Sequence, residues 1–131
     1  SERRFGAALG LGVASAVDNE LAVNLEVGAL VLAGTDWQLR ANLAAFMPLT
    51  GQRVARFSLA PHLVVALPGA LALELGAGPA LTSDLDVAAV ATAVLRWSLG
   101  HGLGLRLRYD HGFLRDAEDI DSVTAGVELS F

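Results

Sequence analysis

The residues of this chain that could do chemistry are few: three histidines (His62, His101, His111), the serines, and a scatter of arginines and carboxylates. The run Tyr109-Asp110-His111-Gly112 sets an aspartate beside a histidine, the composition of a general base and the group that orients it. Adjacent residues of an extended strand point to opposite faces, so Asp110 and His111 cannot form that dyad without a bulge. His101 lies between Gly100 and Gly102, the composition of a solvated turn. No His-x-Ser pair occurs on the apolar face, so no catalytic centre is expected. Cysteine is absent, which excludes a disulfide framework and thiolate metal ligands; no metal and no cofactor are expected. A net charge of −5 with no basic run argues against nucleic acid as a partner.

The elements that must position these groups repeat one pattern. Hydrophobic residues fall on every second position, the signature of strands with one apolar face. Eight segments obey it, beginning with Arg4–Ala14, where Phe5, Leu9, Leu11 and Val13 oppose Gly6, Ala8, Gly10 and Gly12. Leu21–Val31 follows the turn Val17–Glu20 and opposes Leu21, Val23, Leu25, Val27, Ala29 and Val31 to Asn24, Glu26 and Gly28. After Ala33–Asp36, Trp37–Ala45 sets its apolar residues against Gln38, Arg40, Asn42 and Ala44. A polar loop, Pro48–Arg56, leads to Phe57–Leu67, with Ser58, Ala60, His62 and Ala66 on the second face. Pro68-Gly69 turns the chain into Leu71–Gly78, which carries Glu74 between leucines. Beyond Thr82–Asp86, Ala88–Leu99 is oriented by Arg96 and Ser98 against Leu95, Trp97 and Leu99, and Val87–Leu95 is the one stretch that could also form a helix. Leu103–Asp110 and Val123–Phe131 complete the set, separated by the acidic loop Arg115–Asp121.

Composition restricts what eight such strands can build. The chain of 131 residues, read as a single domain over 1–131, is 53% hydrophobic and 18% charged, with mean hydropathy +0.51. Its longest apolar region, His62–Leu81, is broken by Pro68, Gly69, Glu74, Gly76, Gly78 and Pro79, so it cannot be a membrane helix. Lipid tolerates only helices and closed barrels, because backbone polar groups there must be satisfied internally. Two barrels remain: one with its apolar face in lipid, and a soluble, lipocalin-like one holding an apolar ligand inside. A water-facing surface is dense in charge, whereas the second face here is mostly Gly, Ala and Ser and the chain contains no lysine. Small residues with sparse charges fit the interior of a narrow barrel. The apolar face is therefore expected outside, in lipid.

The inward face then carries Glu26, Arg40, Glu74, Arg96, Arg106, Arg108 and Glu128. Unpaired charge is very costly in a narrow lumen, so these should form one ion-pair network that plugs the barrel. Arg96, Arg106 and Glu128 are expected to meet, and Glu26 to face Arg40 across its hairpin. Aromatic residues should form girdles at the two membrane interfaces, Phe5, Trp37, Trp97 and Phe131 at one end and Phe57 and Tyr109 at the other. Pro61 and Pro79 fall inside neighbouring strands, where each removes a ladder hydrogen bond. A bulge there is the structural expectation, and lateral access for a lipid chain the functional one.

The final strand, with Gly126-x-x-Leu129-x-Phe131, resembles the C-terminal signal strand of bacterial outer-membrane barrels, and the whole pattern resembles the small eight-stranded barrels of the OmpA/OmpX type. The resemblance implies an eight-stranded antiparallel up-and-down barrel in the outer membrane of a Gram-negative bacterium. Gly126, Leu129 and Phe131 would act as an insertion signal read by the barrel assembly machinery. The partners would be membrane lipid and that machinery, the protein a monomer, and its role structural or anchoring without catalysis. A lipid-binding or lipid-modifying barrel with lateral access near Pro61 and Pro79 is the alternative.

Overall fold

Period-two patterning produces strands because alternate side chains of an extended chain share one face. In the computed structural model, which describes residues 4–15, 19–49, 55–114 and 120–131, all eight segments are strands. They are β1 (Phe5–Ser15), β2 (Asn19–Ala33), β3 (Trp37–Pro48), β4 (Arg56–Ala66), β5 (Leu71–Thr82), β6 (Val87–Gly100), β7 (Leu103–Leu114) and β8 (Ile120–Ser130). Each pairs antiparallel with its sequence neighbour, and β1 pairs with β8, closing the barrel. Val87–Leu95 is strand, since its pairing with both β5 and β7 satisfies the backbone on each side. The loop reading of Pro48–Arg56 and Arg115–Asp121 falls largely outside the described residues. At their edges it is corrected: Pro48 ends β3, Arg56 opens β4, and Asp121 belongs to β8.

Three tight connections share one end of the barrel with Phe5 and Phe131. Pro68-Gly69 turns with Gly69 at φ 80°, a left-handed backbone that glycine adopts without steric penalty. Gly100-His101-Gly102 turns with all three residues at positive φ. This end is called the turn end below, and the opposite end the loop end.

The two faces separate sharply. Leu11, Leu25, Leu43, Leu59, Leu75 and Leu107 point outward and stand 44–57% exposed. The alternate residues point in and are buried, among them Asn42, His62, Glu74, Arg108 and Asp110. Polar-in, apolar-out is the reverse of a soluble ligand-carrying barrel, which removes the lipocalin-like alternative.

One irregularity changes the pattern read from β2. A bulge between Leu30 and Leu32 shifts the register with β3, so Leu30 faces Arg40 on the inside and Leu32 pairs with the outward Leu39. The turn that pairs Ala33 with Gln38 places Glu26 opposite Ala44, four rungs from Arg40, with or without the bulge to within one residue, so the two do not face each other as expected. No bulge occurs at Pro61 and Pro79. The β4–β5 ladder skips Leu59–Pro61 and Ala77–Pro79 and resumes in the same register, from Ser58↔Ala80 to His62↔Gly76. Backbone bonds at Leu67–Leu71 and Ser83–Ala55 put the 61/77 and 59/79 rungs in hydrogen-bonding phase, so each proline removes one donor from a rung that stays aligned. The strands remain apposed there: a Cβ on Gly78 would collide with the backbone of Leu59 and Ala60. An apolar groove of about 540 Å³, lined by Phe57, Leu59, Pro79 and Leu81 among others, lies on the outer side at this gap in the ladder.

Candidate functional site

The lumen is furnished asymmetrically. β1 presents Gly6, Ala8, Gly10 and Gly12 inward, a wall almost without side chains, and β7 presents Arg106 and Arg108. Long guanidinium side chains can cross the barrel because that wall is bare. A Cβ on Gly126, at the β1–β8 seam, would overlap the backbone of Leu9 and Gly10, so this closure requires glycine.

Arg106 is the hub. Its Nη2 donates to Glu26 Oε2 at 2.9 Å, and its Nη1 to Glu128 Oε2 at 3.0 Å and Glu74 Oε2 at 3.3 Å. Glu128 also accepts from Arg96 Nε at 3.0 Å, so one carboxylate bridges two arginines that are direct cross-strand neighbours. Arg108 Nε donates to Asp110 Oδ2 at 2.9 Å, and its Nη1 lies 2.8 Å from Glu26 Oε2. Asn42 Nδ2 donates to Glu26 Oε1 at 2.5 Å, and His62 Nδ1 lies 2.5 Å from Glu74 Oε1. Six of the seven charges read as inward from the sequence are thus joined; Arg40 stands apart, bonded to Gln38 Oε1 at 3.5 Å. Charges in a low-dielectric interior survive only when so compensated.

Pattern reading missed three participants. Asp110 joins the network through Arg108 and Thr92 Oγ1, the latter at 2.6 Å. Arg56, placed in a loop, is buried with its guanidinium 4.8 Å from the Phe46 ring centroid, a cation–π contact. Asp121 accepts from Tyr109 Oη at 2.6 Å and lies 2.5 Å from His111 Nδ1. His111 therefore pairs across the β7–β8 hairpin with Asp121, its register partner, and not with Asp110. Among described strand residues with placed side chains, Tyr109, His111 and Asp121 are the polar groups on the outward face, and all lie toward the loop end.

Glu26, His62 and Glu74 bring three potential metal-ligand atoms within 4.8 Å of one another. Arg106 already occupies both carboxylates and His62 one of them, so a cation would have to displace a guanidinium. This donor set fits the ion-pair network and not a metal centre. Two free spaces beside Arg106 measure about 20 and 10 Å³, room for about one water each.

The aromatic residues lie at the two rims. Phe5, Trp37, Trp97 and Phe131 are outward at the turn end, where Phe5 and Phe131 stack with centroids 6.1 Å apart. Phe57, Tyr109 and Phe113 are outward toward the loop end.

No protein-family model matches the sequence, and no curated protein matches it. Solved structures do. The N-terminal β-barrel domain of Pseudomonas aeruginosa OprF aligns over 100% of both chains at TM-score 0.70 and 15% identity. The outer membrane enzyme PagL aligns over 96% of this chain and 99% of its own at TM-score 0.69 and 14% identity. The Yersinia pestis outer membrane protein Ail, determined in a phospholipid bilayer nanodisc, aligns over 99% and 100% at TM-score 0.65 and 15% identity. The chain has the fold of the small eight-stranded outer-membrane barrels. At these identities the likeness speaks to the fold alone, and this barrel shares it with an enzyme, PagL, as well as with Ail and OprF.

Proposed function

We propose that the protein spans the outer membrane of a Gram-negative bacterium as a plugged barrel with a structural or anchoring role. The observation that carries this reading is the inversion of its faces: Leu43 stands 55% exposed on the outside while its neighbour Asn42 is buried among Glu26 and Glu74. An outer surface of Leu, Val and Ala this extensive is intolerable in water and matched to hydrocarbon. The aromatic rims support the same placement, with the turn end toward the periplasm. Filling of the lumen by Arg106 and its partners supports a plug over a pore, since an eight-stranded barrel has room for little else.

A lipid-acting enzyme is the second reading, favoured by the outward Tyr109–Asp121–His111 cluster at the rim. Against it, the residue two beyond His111 is Phe113, and no described strand side chain on that face is a serine or threonine. Assembly through Gly126, Leu129 and Phe131 by the barrel machinery, and a monomeric state, belong to the same proposal. The test is reconstitution in a planar bilayer beside gel migration with and without heating. A compact unheated form and no steady conductance are expected; a water-soluble monomer, or a steady single-channel current, would overturn it.

A further inference from the structure

Between the lumen plug and the turn end lies a vestibule of about 560 Å³, open to water and lined by Gln38, Arg40, Ala72, Arg96, Ser98 and Glu128, with Asp36 exposed at its rim. Arg40 is 7% exposed, yet no carboxylate lies within ion-pair distance of it among the described residues. Its hydrogen-bond partner is Gln38 Oε1 at 3.5 Å, a long bond that leaves most of its five donors to the vestibule. The carboxylate that shares the vestibule lining, Glu128, is already bonded to Arg96 and Arg106. Arg96, of like sign, lines the same vestibule. Among described inward residues the arginines (Arg40, Arg56, Arg96, Arg106, Arg108) outnumber the carboxylates (Glu26, Glu74, Asp110, Glu128) five to four. A buried guanidinium beside another cation, facing an open polar cavity, is compensated by an anion that enters from outside.

We infer that the turn-end vestibule binds a small oxyanion, a phosphate or carboxylate group, on the Arg40 guanidinium with Arg96 and Ser98 beside it. The planar fork of a guanidinium suits two oxygens of one such group. The inference concerns the vestibule alone and stands whether or not the lumen conducts.

The test is titration of the full chain in nanodiscs with inorganic phosphate, acetate and chloride at matched ionic strength, read by the side-chain NMR resonances of Arg40, Arg96 and Gln38. A saturable shift confined to these groups in phosphate or acetate is expected, and the better of the two names the source. Arg40→Gln should weaken the response roughly tenfold or more. Ala72→Asp, which sets a carboxylate opposite Arg96 in the vestibule wall, should abolish the response and raise thermal stability. A linear shift equal in all three salts, or saturation unchanged in either variant, would overturn the assignment.

Discussion

Arg106 Nη2 and Glu26 Oε2 stand 2.9 Å apart across the barrel, tying β7 to β2 between residues 80 positions apart in sequence. Neither strand neighbours the other in the sheet, so this bond closes the lumen through its interior. Removing Arg106 takes one cation from Glu26, Glu74 and Glu128 at once. Arg106→Met is expected to cost about 3–5 kcal/mol in reversible urea unfolding from lipid, the usual loss when one member of a buried pair is deleted. Arg106→Met combined with Glu26→Gln should lose less than the sum of the single changes, because they share a bond. Strict additivity would mean that the pair is not coupled.

The lipid-facing surface predicts a dependence on depth. Leu43→Arg, in the middle of β3, should cost about 2–4 kcal/mol. Leu85→Arg, in the β5–β6 turn at the loop end, should stay within about 0.5 kcal/mol. Equal effects in the same unfolding assay would contradict the outward assignment of β3.

Much of this was legible in the chain. The period of two gave all eight strands and their faces, because burial on one side leaves a mark at every second residue. Two features escaped because they depend on pairing across strands and not on pattern along them. The turn that pairs Ala33 with Gln38 sets Arg40 opposite Leu30 and Glu26 opposite Ala44, and the partnership of His111 with Asp121 follows from β7–β8 register. Arg56 and Asp121 escaped for another reason: each sits at a strand end in a polar run, where a strand charge and a loop charge look alike.

Pro61 and Pro79 leave the carbonyls of Ala77 and Leu59 without one donor each, although the register is unbroken. Pro61→Val and Pro79→Val should restore those bonds and stabilise the barrel by about 0.5–1.5 kcal/mol each. Slower hydrogen exchange along β4 and β5 would accompany the gain. A loss of stability would mean that the proline ring itself packs something the backbone argument omits.

Gly126 sits where a side chain would strike Leu9 and Gly10, so Gly126→Ala should impair closure of β1 on β8. The fraction of compact, heat-modifiable protein on a gel should fall, while Ala125→Gly on the outward face changes it little. Replacement of Phe131 by Ala removes the ring stacked on Phe5 but keeps the two backbone bonds to Phe5 across the seam, so it should slow assembly and leave the assembled barrel intact. If Gly126→Ala assembles normally, the seam argument fails.

His111→Ala tests the rim cluster. It should leave membrane lipids chemically unchanged before and after substitution and shift stability by no more than about 1 kcal/mol, as for an exposed pair. Lipid hydrolysis by the native chain that vanishes in the variant, followed by mass spectrometry, would establish the enzymatic reading instead.

The central claim is that the leucine face lies in hydrocarbon and the arginine face does not. The chain has no cysteine, so single cysteines can carry a spin label without background. Labels at Leu43, Leu59 and Leu107 in reconstituted bilayers should be relaxed by oxygen and shielded from a water-soluble nickel chelate. Relaxation of those three positions by the chelate, with oxygen ineffective, would contradict the account.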